Sequence, residues 1–511
     1  MLNMHLSHKN GNNQIPNAFF SAPIFYVNGA PHLGHLYTSI AVDVMARFRR
    51  MIGGLTYVSV GTDEHGQKVA QSASEAKESP QKFVDRMYIP FLNLVNKCEM
   101  KYDIFIRTTY DEHKKVAQHF YEKLVKSKYV YEGEYEGWYS SRDEAFYADT
   151  DVKDGKALNG SKVTWVKEKC MFFALSKFKD KLLKYYQENI ESILPYSRYQ
   201  EVMGMLNANL PDLAITRTRF SWGIPIEQLP GHVLYVWVDA LTNYLTVLGY
   251  PNNEYQMKKW WPNSVHVIGK DILKFHAIYW PAMLMAVELQ PPKKIVAHGW
   301  WTVNGHKMSK SEGNVIDPFA LIDEYGVDEI RYLLMTEMSF GQDGDFNEKR
   351  MNARLNSDLC NELGNFIQRV MMFCYKEYEE TLSLFENLTN VDIELLNQSN
   401  AFLNSAIKGM ENAKIHIYLS SLRSLVRLCN VYIDEQKPWK LSGENRKRVL
   451  SVLCEMVKRV AIFMEPIMPL KAKSVFALLG YMDNLDKTSW NELLKVNKLQ
   501  KPEPMFTSRG K

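Results

Sequence analysis

Two short motifs carry most of the chemistry that can be read from this sequence. His32-Leu33-Gly34-His35 lies where an apolar stretch, Phe19 to Val27, gives way to a helical pattern from Leu33 to Met51. A helix N-terminus presents unpaired N–H groups and the positive end of a dipole, which makes it a ready anion site. Gly34 lets a nucleotide approach the backbone, and two imidazoles there can donate to phosphate oxygens. Lys307-Met308-Ser309-Lys310-Ser311 follows Asn304-Gly305, a tight-turn signal. Two lysines on a loop can reach triphosphate oxygens as point charges. Alone, the first motif is equally a pair of capping histidines, and the second a solvated basic loop. In this order and in one chain they are far more specific. Gly269-Lys270-Asp271 falls between them at the end of a strand pattern, the place where open α/β sheets bind ligands.

The elements that must position these groups alternate. Phe19–Val27 is a buried strand by length and composition, the helix stops at Gly53-Gly54, and Leu55–Val60 is a second apolar strand. Strand, helix and strand in so short a span predict a parallel sheet. From about Tyr131 to Gly231 the rhythm changes to crowded Tyr, Trp, Gly, Asp and Lys, which predicts short antiparallel strands in an inserted module. Strand signals resume at Val233–Trp237, Val265–Ile268 and Ile295–Ala297, and from about Ala320 the pattern is almost wholly helical.

Composition bounds the setting. At about 150 residues per domain, 511 residues suggest about three domains. Hydrophobic residues make up 46% and charged residues 23%, far from the profile of disorder. With 62 basic and 58 acidic residues the net charge is +4, which excludes a uniform polycation. The six cysteines form no C-x-x-C pair, so a disulfide framework and a zinc ribbon are not expected. No apolar run reaches a membrane span, and the polar first 17 residues carry no signal-peptide core. The expectation is a soluble, cytoplasmic protein with no membrane partner.

In this order and topology the three elements resemble the signatures of class I aminoacyl-tRNA synthetases. The resemblance implies catalytic roles for His32, His35, Lys307 and Lys310, and ATP contacts from these four with Gly34, Gly269, Asp271 and Ser309. In that family an aspartate at the Asp271 position holds the ATP ribose, and the glycine leaves room for it. Mg²⁺ would accompany ATP, bound chiefly through its phosphates. Tyr235–Tyr244 is similar to the pocket segment of methionyl-tRNA synthetases, whose tryptophan, alanine and tyrosine match Trp237, Ala240 and Tyr244, with Leu241 in the same segment. The same resemblance adds Pro23, Ile24, Tyr26, Ile272 and His276 to the methionine pocket, and Asp63 as the carboxylate for the substrate ammonium. Aromatic walls suit a thioether, at about 0.3–1.5 kcal/mol per sulfur contact. A hydroxyl or imidazole aimed at sulfur, from Tyr26 or His276, would discriminate against hydrocarbons. Leu213 departs from the pattern, standing where some members carry a pocket tryptophan.

The implied fold is α/β. A Rossmann-like parallel-sheet catalytic domain (18–130 and 232–319) carries an inserted connective module (131–231) and is preceded by a flexible tail (1–17). A stem region (320–364) and an all-α anticodon-binding bundle (365–511) follow. Asn365, Arg369 and Trp439 resemble the anticodon-reading residues; the first two are four apart, hence on one helix face, and Trp439 offers a face for an unstacked base. The inserted segment is too small for the editing domain of the isoleucine, leucine and valine enzymes. Its only cysteine is Cys170, and one thiolate cannot make a four-ligand zinc site, so no structural zinc is expected. Expected partners are L-methionine, ATP and tRNA(Met), including the initiator. Lacking room for a further C-terminal domain, the chain is expected to be a monomer. A smaller adenylyltransferase would lack the helical region, and a silent RNA-binding relative would have lost His32, His35 or Lys310. From Phe366 to Lys511 there are 21 basic and 16 acidic residues, and between Lys437 and Arg459 seven against two. That excess predicts phosphate contacts in the helical domain.

Overall fold

A computed structural model describes residues 15–509 apart from 141–144, 148, 159, 304, 309–313, 379–381, 385, 482–489, 491, 493 and 497. At Tyr135, Ala145, Phe146, Lys307, Leu382, Lys495 and Val496 the backbone alone is described. Two units divide the chain. One takes Asn17–Val42 and Thr56–His298, the other Met1–Pro16, Asp43–Leu55 and Gly299–Lys511.

The first unit is built on a seven-stranded sheet. Its strands are β1 (Ala18–Ser21), β2 (Phe25–Tyr26), β3 (Thr56–Asp63), β4 (Ile104–Arg107) and three later ones described below. Helix α1 (Leu33–Met51) follows β2. The apolar runs that read as buried strands are buried: Phe19, Phe20, Val58 and Val60 are all in the core. The single strand expected from Phe19 to Val27 is two. Pro23 has no N–H to give a ladder, and the chain shifts along β3: Ala18–Ser21 pair with Thr56–Ser59, whereas Phe25 and Tyr26 pair with Thr62 and Asp63. The shift sets Tyr26 directly beside Asp63.

Helix α2 (Asp111–Lys126) leads into a long antiparallel pair, β5 (Val130–Ser140) and β6 (Thr164–Phe173). These strands are 11 and 10 residues long, not short as the composition suggested. After them β7 (Ile193–Leu194) joins the parallel sheet beside β9 (Lys294–His298), which pairs with β8 (Ser264–Gly269), itself next to β1. The segment expected as a separate insertion thus supplies a sheet strand, too short to leave a periodic signal. Val233–Trp237 differs as well. Only Val233–Leu234 is extended, and helix α3 (Val236–Thr246) starts two residues on. Ten of its eleven residues are buried, and a helix buried on all sides shows no amphipathic period to set it apart from a strand.

The second unit is mostly helical, with α4 (Asn365–Glu377), α5 (Ile415–Gln436) and α6 (Gly443–Met464) among its helices. It also holds a small sheet of Trp301–Val303, His306–Lys307 and Gly344–Phe346. Residues from Gly299 onward, expected with the sheet domain up to 319, group here. So does the second half of α1. Asp43 accepts from Arg47 and from Arg331, both at 2.7 Å, and Arg331 also donates to the carbonyls of Pro466 and Ile467. Arg331 and Asp43 are wholly buried; such charges persist only when every one is paired. Among the described residues no helix is long and apolar enough to cross a membrane.

Candidate active site

The turn between β2 and α1 arranges both signature histidines through the backbone. The N–H of Gly34 donates to His32 Nδ1 at 3.1 Å, and the N–H of His32 donates to His35 Nδ1 at 3.0 Å. An Nδ1 that accepts leaves the ring proton on Nε2, so each neutral imidazole is a donor through Nε2. The rings lie 3.8 Å apart, and His35 is wedged edge-on against Phe25 and Phe91. Burial, and after it the neighbouring His32, push the pKa of His35 down.

At the carboxyl end of β8, a Cβ on Gly269 would stand 2.5 Å from Asp271 Oδ1. The glycine therefore makes room first for the Asp271 carboxylate. Of the lysine motif, Lys307 ends the short strand His306–Lys307, and Ser309, Lys310 and Ser311 lie outside the described residues.

Of the expected methionine residues, Trp237, Ala240, Leu241 and Tyr244 lie on α3, Ile272 and His276 in the segment after β8, and Pro23, Ile24, Tyr26 and Asp63 on or beside β2 and β3. Ala240, Leu241, Tyr244 and His276 are buried, while Pro23, Ile24, Tyr26, Trp237 and Ile272 are half-buried. His276 Nδ1–H donates to the Ile272 carbonyl at 3.0 Å, so its Nε2 accepts from the Tyr244 hydroxyl at 2.8 Å. Burial holds the His276 pKa at about 4, keeping the ring neutral for that pairing. Trp237 stacks face to face on Phe275 with centroids 3.8 Å apart. Tyr244 stacks on His266, which is bonded to Ser21. Leu213 pairs with Phe173 in the antiparallel sheet.

The loop that follows Asp63 is anchored by residues that sequence reasoning did not single out. Arg107 grips Glu64 with two nitrogens, at 2.7 and 3.1 Å, and reaches Asp85 at 2.6 Å. Thr62 and Thr109 also donate to the Glu64 carboxylate. Trp222 lies against His65 and donates to the Glu64 carbonyl at 2.7 Å. Asp239, next to Ala240, accepts from His65 and His113. Burial works to raise its carboxyl pKa, yet His65 and His113 hold it down at about 2.

In the helical unit, α5 ends where Lys437 turns left-handed at φ 47°, and Pro438–Lys440 follow as a single tight turn. Trp439 is 44% exposed there and stacks loosely on Phe373, with centroids 6.5 Å apart. The Arg369 guanidinium sits 5.9 Å from the Trp439 ring centroid and pairs with Asp434 at 3.4 Å; Asn365 is exposed one helical turn before it. The basic run around Trp439 proves largely internal. Arg446, Arg448, Lys458 and Arg459 pair with Glu377, Asp392 and Glu455, leaving Lys437, Lys440 and Lys447 exposed.

The family model for class I tRNA synthetases of the M type matches residues 18–157 and 150–371, and the anticodon-binding domain of tRNA ligases matches 392–506. The methionine–tRNA ligase of Rickettsia felis is 44% identical over 469 residues, covering 90% of this chain and 92% of the relative. Methionine–tRNA ligase 1 of Bacillus cereus is 40% identical, over 96% of this chain and 78% of the relative. The chain belongs to the methionine-type class I tRNA synthetases. Among solved structures, Mycobacterium tuberculosis methionyl-tRNA synthetase in complex with methionyl-adenylate superposes with a TM-score of 0.92 at 36% identity, covering 96% of this chain and 99% of that one. Cys170 is buried within β6, and among the described residues no group of three His, Cys, Asp or Glu is placed to hold a metal ion.

Proposed function

We propose that the chain binds methionine and ATP through the residues named above, and that Asn365, Arg369 and Trp439 read the anticodon. The chain is a methionine–tRNA ligase: it activates L-methionine with ATP to methionyl-adenylate and pyrophosphate, then passes the methionyl group to the 3′ end of tRNA. The observation that carries the site assignment is topological. Asp63 closes β3 and Gly269 closes β8, the two strands that flank β1 in parallel, with Asp271 two residues after Gly269. Ligands of open parallel sheets bind at such carboxyl ends.

In the first step the methionine carboxylate attacks the α-phosphate. It is already a nucleophile at neutral pH, so catalysis comes from alignment and from charge stabilisation. Asp63 takes the ammonium. His32 and His35 donate through Nε2 to phosphate oxygens, Asp271 holds the ribose, and Lys307 and Lys310 meet the outgoing pyrophosphate. Mg²⁺ travels with ATP as part of the substrate complex. In the second step the terminal hydroxyl of tRNA attacks the adenylate carbonyl and AMP leaves. Both ring nitrogens of His276 are engaged, so His276 orients the Tyr244 hydroxyl, and Tyr26 is the remaining one of the two expected donors to sulfur. We further propose a cytoplasmic monomer acting on initiator and elongator tRNA(Met), in keeping with six free cysteines.

The deciding experiment is pyrophosphate exchange run with each of the 20 amino acids, with norleucine added. Methionine alone should support fast exchange, and Tyr26→Phe should narrow its kcat/KM advantage over norleucine. Equal exchange with leucine or isoleucine would overturn the pocket assignment.

A further inference from the structure

Behind the pocket lies a charged cluster that the steps above do not use. Asp239 is wholly buried. Its Oδ2 accepts from His65 Nδ1–H and its Oδ1 from His113 Nε2–H, both at 2.7 Å. His113, on α2, also bonds Thr246 of α3 at 3.0 Å through Nδ1. The three residues come from separate stretches: the loop after β3, helix α2 and helix α3. What they join matters. His65 is two residues beyond Asp63, the proposed ammonium carboxylate. Asp239 stands between Trp237 and Ala240, the proposed wall of the side-chain pocket.

The Asp63 loop is held on its far side by Arg107 and Thr109 through Glu64, and by Trp222 through paired bonds to the Glu64 carbonyl and the Gly66 N–H. The His65–Asp239 bond ties this anchored loop to α3. Two charge-assisted bonds to one ionised carboxylate in a dry interior are short and directional. They also require a carboxylate. Both neighbours donate, and an amide offers one acceptor oxygen and an NH₂ that would face a ring N–H.

We propose that Asp239 is a positioning residue for methionine, locking the Asp63 loop to α3 so that the ammonium site and the side-chain wall keep one spacing. The proposal rests on the methionine assignment made above. An α-amino acid has a fixed distance from its ammonium to its side chain, so a clamp between the two subsites acts on methionine and not on ATP.

Asp239→Asn keeps shape and volume and removes one of the two acceptors. In methionine-dependent pyrophosphate exchange, the methionine KM should rise by roughly tenfold or more while the ATP KM stays within about twofold. The double variant Asp63→Ala/Asp239→Asn should be hardly worse than Asp63→Ala alone, because residues that act as a unit are not additive. His65→Ala cuts the loop side of the clamp, leaves Asp239 bonded to His113, and should show the same methionine-selective loss. Equal rises in both KM values, no rise in either, or full additivity with Asp63→Ala would overturn the proposal. If Asp63→Ala itself left the methionine KM unchanged, the methionine assignment would fail first, and the clamp with it.

Discussion

In the parallel-sheet unit, the groups assigned to methionine are held by partners of their own: Tyr244 by His276, His276 by Ile272, Trp237 by Phe275, and the Asp63 loop by Arg107 and Asp239. Beside α5 the groups assigned to tRNA are held loosely. Trp439 is 44% exposed, with Phe373 at 6.5 Å and Arg369 at 5.9 Å from its ring. The difference follows from the ligands. A small apolar thioether offers little binding energy, so its site must be assembled beforehand. An anticodon base brings a wide π-face and nearby phosphates, so an open ring and a few cations suffice. Preorganisation inside and adaptability outside should fail in different assays.

The largest effect should separate amino-acid activation from tRNA binding outright. Lys310→Ala removes a cation from the transferring phosphates, and losses of about 10²–10³ in rate are typical when one charge-stabilising group is deleted. Exchange should fall by that order while tRNA affinity is unchanged. If tRNA affinity fell in parallel, the lysine motif would serve both activation and tRNA binding and the division would be wrong.

Trp439→Ala tests the converse. Stacking is worth about 1–3 kcal/mol per base, and with Phe373 left beneath, the loss should sit at the low end. The kcat/KM for tRNA charging should drop roughly tenfold, with pyrophosphate exchange intact. A matching fall in exchange would count against an anticodon role.

Acidification sets the regions against each other without mutation. His266 and His276 are buried in the sheet unit and burial lowers both pKa values, His276 to about 4. The unfolded chain takes up their protons near pH 6.5, which the folded state refuses. Below that pH each costs about 1.4 kcal/mol per pH unit until its folded pKa is reached. In the helical unit the sign reverses: burial raises Asp328 to about 6 and raises Glu465 as well. A folded state that binds the proton more tightly gains stability as pH falls from about 6 towards 4. Asp239, held down at about 2, stays ionised throughout this window. Hydrogen exchange corrected for intrinsic rate should show protection falling around residues 264–276 between pH 7 and 5, and holding or rising around residues 328–335. Equal loss in both places would contradict these assignments.

The signature residues were legible because each motif is contiguous and sits at a junction of elements: His32 to His35 at a helix start, Gly269 to Asp271 at a strand end. Parallel strands such as β8 and β9 were legible for the same reason, being apolar runs bounded by turns. What stayed hidden was pairing at a distance. Asp239 meets His65 across 174 residues and His113 across 126, and no local spacing announces such a contact. Trp222 belongs with these: its role comes from where the chain returns, not from its neighbours in sequence. The extended stretch from Val233 was half misread because a fully buried helix and a buried strand share one composition. The basic run near Trp439 misled in the opposite way, since charge counted along a chain does not say which charges face water.

That last point gives the smallest effect and the finest test of the open surface. Lys440, next to Trp439, and Lys447 on α6 are exposed, whereas Arg448 is bonded to Asp392 and Thr389. Each lysine that neutralises a phosphate contributes about 0.7–0.9 to the slope of log K against log salt. Lys440→Ala and Lys447→Ala should each flatten the slope of tRNA binding by about that amount, with Tm unchanged. Arg448→Ala should leave the slope alone and lower Tm, because it strands the buried Asp392 carboxylate beside Tyr432. The exposed cations then meet the RNA, and the buried ones hold up the surface that carries them. Were Arg448→Ala instead to flatten the slope with stability intact, the paired arginine would be a phosphate contact, and charge counted along the chain would have been the better guide after all.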